Sequence, residues 1–157
     1  MEEVVNYLIK LSDAKAQLLE SLYQLSLLQE KALEDNSIDF LNKAIAEKQN
    51  IMKRIDILDK EFLDKYEAVK NRLGITSLES ITGEPAKGFK ELQEKVRYIL
   101  EIVDKIRVVD DSNMKKAKAN LDESQRQLKS LRVGKKAYSS YNKKSMEGAS
   151  IFMDKKE

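Results

Sequence analysis

Apolar side chains return every three or four residues along most of this chain, and very little interrupts them: 157 residues contain five glycines and one proline. That spacing lines one face of an α-helix, where residues i, i+3, i+4 and i+7 stack above one another. Val4, Leu8, Leu11, Leu18, Leu22, Leu25 and Ala32 make the first series, with Lys15 and Gln29 as its two polar exceptions. Ile9, Leu19, Leu28 and Leu33 widen the stripe beyond a two-stranded seam, so this helix is expected to touch more than one neighbour.

The Asp35-Asn36-Ser37 cluster breaks the series, and Asn36 or Ser37 is expected to cap a new helix by accepting a hydrogen bond from one of its free N–H groups. The second seam runs Leu41, Ala44, Lys48, Ile51, Ile55, Leu58, Phe62, Tyr66, Val69 and Leu73. So short a corner forces the two helices antiparallel, each roughly 45 to 50 Å long at about 1.5 Å per residue. Gly74 follows Leu73 where a left-handed residue closes a helix without steric cost. Ile75 to Gly88 reads as a connection, with one helical turn expected over Ser77 to Ile81 and Pro85 expected in the first turn of the next helix.

A third seam starts at Phe89 and continues through Leu92, Val96, Ile99, Val103 and Ile106, flanked by Leu100, Ile102 and Val109. The same count then meets Asp110, Asn113, Ala117, Asn120 and Ser124 before Leu128 and Leu131 resume it. Ser112 would suit a cap, but the count stays in phase, which favours one long helix. Its softened half buries little apolar area at about 25 cal/mol per Å², so either another surface covers it or it splays into solvent. After Leu131 periodicity fades. The expected architecture is all-α: an elongated bundle of three long antiparallel helices over residues 1–133, then a basic, flexible tail over 134–157.

Whole chemistries are missing, because the chain has no Cys, His or Trp. There is no thiolate, no imidazole base, no Cys-based zinc site, no Glu-x-x-His di-iron motif and no Gly-rich phosphate loop. The reading is therefore a non-enzyme without cofactor or metal. Ser21 to Gln29, the longest uncharged stretch of the first helix, is far short of the roughly 20 residues of a membrane span. Met1 is followed by Glu2 and Glu3 rather than a basic and then apolar segment, so the expected location is the cytoplasm.

Net charge is +2, yet from Arg132 onward seven Lys or Arg face three acids. Such an end can meet nucleic acid, an acidic partner or a membrane, but a solvated flexible end is the favoured account, and neither nucleic acid binding nor membrane insertion is expected. Asp56, Asp59, Glu61 and Asp64, like Asp104, Asp110 and Asp111, each lie near Lys or Arg, as ordinary ion-pair lacing of a solvated helix would have them. Tyr7, Tyr23, Tyr66 and Tyr98 fall within periodic helices and are expected at the rim of the core. Tyr138 and Tyr141 lie in a basic stretch with no core to join and are read as partner contacts.

Several stretches resemble the FlgN family of flagellar export chaperones. LLQEKALEDNSIDFLNKAIAEKQNIMKRIDILDKEF, from Leu27 to Phe62, is similar to that family's helix, Asp/Asn corner and Glu-Lys-Gln-rich second helix. NRLGITSLESI, from Asn71 to Ile81, resembles its Leu-Gly turn and serine-leucine segment. VDDSNMKKAKANLDESQRQLKSL, from Val109 to Leu131, looks like its third helix, with Asn113 and Ser124 in the corresponding places. The ending AYSSYNKKSMEGASIFMDKKE resembles tails of some such proteins from Gram-positive bacteria. One departure stands out, since Lys115, Lys116, Lys118 and Asn120 crowd a half-helix that the family keeps more apolar.

The resemblance implies binding of flagellar hook-associated proteins before export, keeping their terminal helices soluble and delivering them to the export gate, without ATP hydrolysis. A partner's amphipathic helix would then lie along the third helix against Met114, Ala117, Leu121, Leu128 and Leu131. The alternative reading is a coiled-coil structural or adaptor protein that self-associates, as a homodimer.

Overall fold

A computed structural model describes residues 1–77 and 82–145, and these are all-α: α1 Glu2–Glu34, α2 Ile38–Leu73 and α3 Phe89–Ser145. By density of internal packing the chain divides into Met1–Met114 and Lys115–Glu157.

The first unit is an up-down-up bundle with two stacked apolar layers. Val5, Leu8, Ile9 and Leu11 of α1 meet Val69 of α2 and Phe89 and Leu92 of α3. Further along, Ala16, Leu19 and Leu22 meet Ile55 and then Ile99, Ile102 and Ile106. Residue numbers rise in α1 and α3 as they fall in α2, which fixes the antiparallel order. Val5, Leu8, Phe89 and Leu92 are wholly buried, each contributing about 1.5–3 kcal/mol relative to exposure.

Backbone geometry makes the first corner. Asn36 takes a left-handed φ of 52°, which its short polar side chain tolerates, and Ser37 then turns extended. The Ser37 N–H donates to the Ala32 carbonyl at 2.9 Å and the Asn36 N–H to that of Leu33 at 3.4 Å. Ser37 does hold the N-cap position of α2, but its side chain makes no capping hydrogen bond, contrary to the sequence expectation. At the other end Gly74 is left-handed, with φ 66° and ψ 33°, and both its N–H and that of Ile75 turn back to the Lys70 carbonyl.

Three further expectations need correction. Pro85 stands in a bend before α3 rather than in its first turn, because Gly88, at φ 86°, is left-handed and the helix begins only after it. Ile102 is buried where Val103 was expected, since a straight helix drifts about 20° per heptad against a 3.5-residue repeat. Leu28, read as part of the wide stripe of α1, is exposed. The turn expected at Ser77 to Ile81 lies, beyond Ser77, outside the described residues.

α3 is continuous through Asp110 to Asn113 and runs past Gly134, where the tail was expected to begin, to Ser145. Residues 146–157 lie outside the described region.

Candidate functional site

The Lys115–Ser145 segment is a helix with nothing inside it. Every residue from 117 to 138 is exposed. Helical spacing nevertheless sorts most of its large apolar side chains to one side, with Val133 on the opposite one: Ala117, Leu121, Leu128, Leu131 and Tyr138 follow one another at intervals of four, seven, three and seven residues. Ser124 and Lys135 fill the two gaps in this alternation of three and four. Leu121 is 58% exposed, Leu131 69% and Tyr138 68%, values that belong to solvent rather than to a core. Tyr141 is equally open and lies beside the stripe rather than on it. Met114, the last residue of the first unit, is exposed as well.

Charge is unevenly divided along the chain. From Lys115 to Ser145, ten Lys or Arg stand against Asp122 and Glu123, a net +8, whereas residues 1–114 carry −5. Arg126 reaches Glu123 only at 3.9 Å, a solvent-screened pair of little strength.

Asn113, expected to open this softened face, belongs instead to a polar layer in the first unit. Its side chain is buried, and Nδ2 donates to the Ser26 carbonyl at 2.9 Å. One turn earlier, Asp110 Oδ1 accepts from Ser26 Oγ and from Lys48 Nζ, both at 2.7 Å, while Lys48 also donates to Gln29 Oε1 at 3.0 Å. Thus Gln29, Lys48, Asp110 and Asn113, the polar interruptions of three separate seams, meet at one level. Asp110, expected as ion-pair lacing of its own helix, takes its partners from α1 and α2. The available signal was that all four fall in phase with apolar series.

Other charged expectations resolve in the same way. Lys15, the remaining exception of the first seam, pairs with Asp59 at 2.5 Å, and Lys95 pairs with Asp13 at 2.8 Å, which raises the lysine pKa. Tyr7 donates to Glu61, and Tyr98 to Glu20 at 2.6 Å; each phenol is raised above its usual value, first by that hydrogen bond to the carboxylate. Tyr66 and Tyr23 pack against the two core layers. Among the described residues no group of acids is arranged to hold a metal. No helix among them is long and apolar enough to cross a membrane.

One concave feature escaped the sequence. Leu25, Leu28, Ala32, Phe40 and Ala44 line a cavity of about 430 Å³ beside the α1–α2 corner, with Lys31, Lys43, Asp35 and Glu47 also on its walls. Phe40 and Leu28 are apolar but lie outside the buried seams, which is the trace such a hollow leaves in sequence.

Compared with known proteins, the chain matches the family model described as FlgN protein over residues 1–147. No curated protein and no solved structure matches.

Proposed function

Since the chain belongs to the FlgN family of flagellar export chaperones, we propose that it binds hook-associated proteins in the cytoplasm, keeps their terminal helices soluble, and hands them to the flagellar type III export gate. The observation that carries this reading is the helical stripe Ala117, Leu121, Leu128, Leu131 and Tyr138, apolar in pattern yet solvent-exposed. Soluble helices rarely leave such a stripe open without a use for it, and an amphipathic partner helix is the natural cover. Met114 and Tyr141 extend the contact at either end. The work is binding alone, which suits a chain without Cys or His and needs no cofactor.

The test is titration calorimetry of the full chain with a purified hook-associated protein. A one-to-one complex is expected, weakened at least tenfold by Leu128→Gln with Leu131→Gln while helicity is unchanged. Unaltered affinity in that double variant would remove the assignment. The self-associating coiled coil is the second reading, since the same three-four alternation is what such proteins display. It requires concentration-dependent dimers in sedimentation equilibrium.

A further inference from the structure

The stripe on Lys115–Ser145 has two unlike edges. Lys118, Lys129, Arg132 and Lys136 each come directly after a stripe position, so helical geometry sets all four along the same side of it. Asp122 is the single acid on that edge. The residues directly before stripe positions form the other edge: Asn120, Gln127, Ser130, Gly134 and Ala137 carry no charge, and Lys116 and Glu123 offset one another. All four cations of the basic edge are exposed, and among the described residues none is paired with a carboxylate.

We propose that the segment which covers this face is an acidic amphipathic α-helix whose carboxylates are gathered along one flank of its apolar seam. The inference rests on the reading above that the face receives a partner's helix, and adds what that helix must look like. Apolar contact with Leu121, Leu128 and Leu131 supplies adhesion, while the row of cations speeds encounter and fixes which way round the helix lies, because only one orientation matches acids to bases. A second copy of the same segment is opposed by its own charge, +8 against +8. An anionic membrane surface would meet both edges of a helix lying flat on it and so favours cations on both sides, not a neutral edge of Asn, Gln and Gly.

The experiment uses the full chain and two synthetic three-heptad peptides with the same leucine seam, one with glutamate along a single flank and the other with lysine there. Fluorescence anisotropy should show the acidic peptide binding on the order of tenfold or more tighter than the basic one, with the advantage shrinking as salt rises. The variant Lys118→Glu/Lys129→Glu/Arg132→Glu/Lys136→Glu should reverse the preference at unchanged helicity. Equal affinity for the two peptides, binding of neither, or no reversal in the variant overturns the proposal. So does binding to vesicles of phosphatidylglycerol in place of the peptide, or self-association of the chain alone. If a hook-associated protein needs Leu128 and Leu131 but ignores the charge reversal, the chaperone reading stands and this one falls.

Discussion

Lys48 on α2 and Asp110 on α3 form an ion pair at 2.7 Å in which the lysine side chain is only 13% exposed and the aspartate 38%. The same carboxylate oxygen holds Ser26 of α1, so one side chain ties three helices together. Asp110→Ala leaves a largely buried ammonium without its counter-charge and should destabilise the bundle by about 1–3 kcal/mol, the lower part of that range reflecting the aspartate's exposure. Urea unfolding measures this. Adding Lys48→Met should return part of the loss, and strict additivity of the two substitutions would show that the pair does not interact.

Asn113→Ala should cost about 1–2 kcal/mol, from a lost buried hydrogen bond and a small void. Asn113→Leu should cost less, because Asn113 Oδ1 has no hydrogen-bond partner among the described residues and its burial already opposes folding. Thermal unfolding of the two variants side by side decides it. An equal or larger loss with leucine would mean that the amide is needed for more than this bond.

Two glycines should respond to alanine with opposite sign. Gly88 has φ 86°, and a Cβ there would lie 3.4 Å from both Ile9 Cδ1 and Val5 Cγ1, so Gly88→Ala should lower stability by about 1–2 kcal/mol. Gly134 is helical with open space around it, and Gly134→Ala should strengthen its own helix by about 0.5–1 kcal/mol. Circular dichroism reads the second effect as a gain in helical signal at fixed temperature.

Leu8 is wholly buried and Leu128 is 54% exposed, though both are leucines in phase with a helical seam. Leu8→Ala is expected to cost about 2–5 kcal/mol, while Leu128→Gln should stay within about 0.5 kcal/mol. Comparable losses would mean that Leu128 is covered in the free protein.

Stability should fall on the alkaline side. Tyr7, Tyr98, Lys70 and Lys95 all have pKa values raised by folding, Tyr7 and Tyr98 through Glu61 and Glu20, the lysines through Glu67 and Asp13. For a raised pKa the stabilisation is complete below the unfolded value and disappears as pH climbs through the folded one. The window therefore opens near the ordinary values of 10.0 for tyrosine and 10.5 for lysine and extends above them. Tyr7→Phe together with Tyr98→Phe should flatten this decline in a pH series of thermal melts. An unchanged slope would assign it to the lysines.

The three helices were legible because their seams are long, and sequence alone located the corner at Asp35 to Ser37 and the stop at Gly74. Finer detail was lost where two local solutions compete. A serine at an N-cap position advertises a side-chain hydrogen bond, but the bonds made at this corner are backbone ones, in which the N–H groups of Asp35, left-handed Asn36 and Ser37 close the carbonyls that end α1. Pro85 suits a helix start, yet the left-handed Gly88 placed close against Val5 and Ile9 moved that start to Phe89. The polar layer is harder to read for a different reason: Gln29, Lys48, Asp110 and Asn113 fall in phase with their apolar series, but which of them meet is fixed only when three helices are set in register. The exposed stripe was readable as far as Leu131, because periodicity reports a face without reporting what covers it, but its continuation to Tyr138 shows only once the helix is seen to run on past Gly134.

The openness of residues 117–138 also bears on how such a chain can change over generations. Substitutions there disturb no interior packing, so under the proposed function the residues that would meet a cargo are free to diverge while the layers around Leu8 and Ile106 stay fixed. Related chains carrying different cargoes should accordingly differ most in this stretch, and a graft of it should carry the preference along.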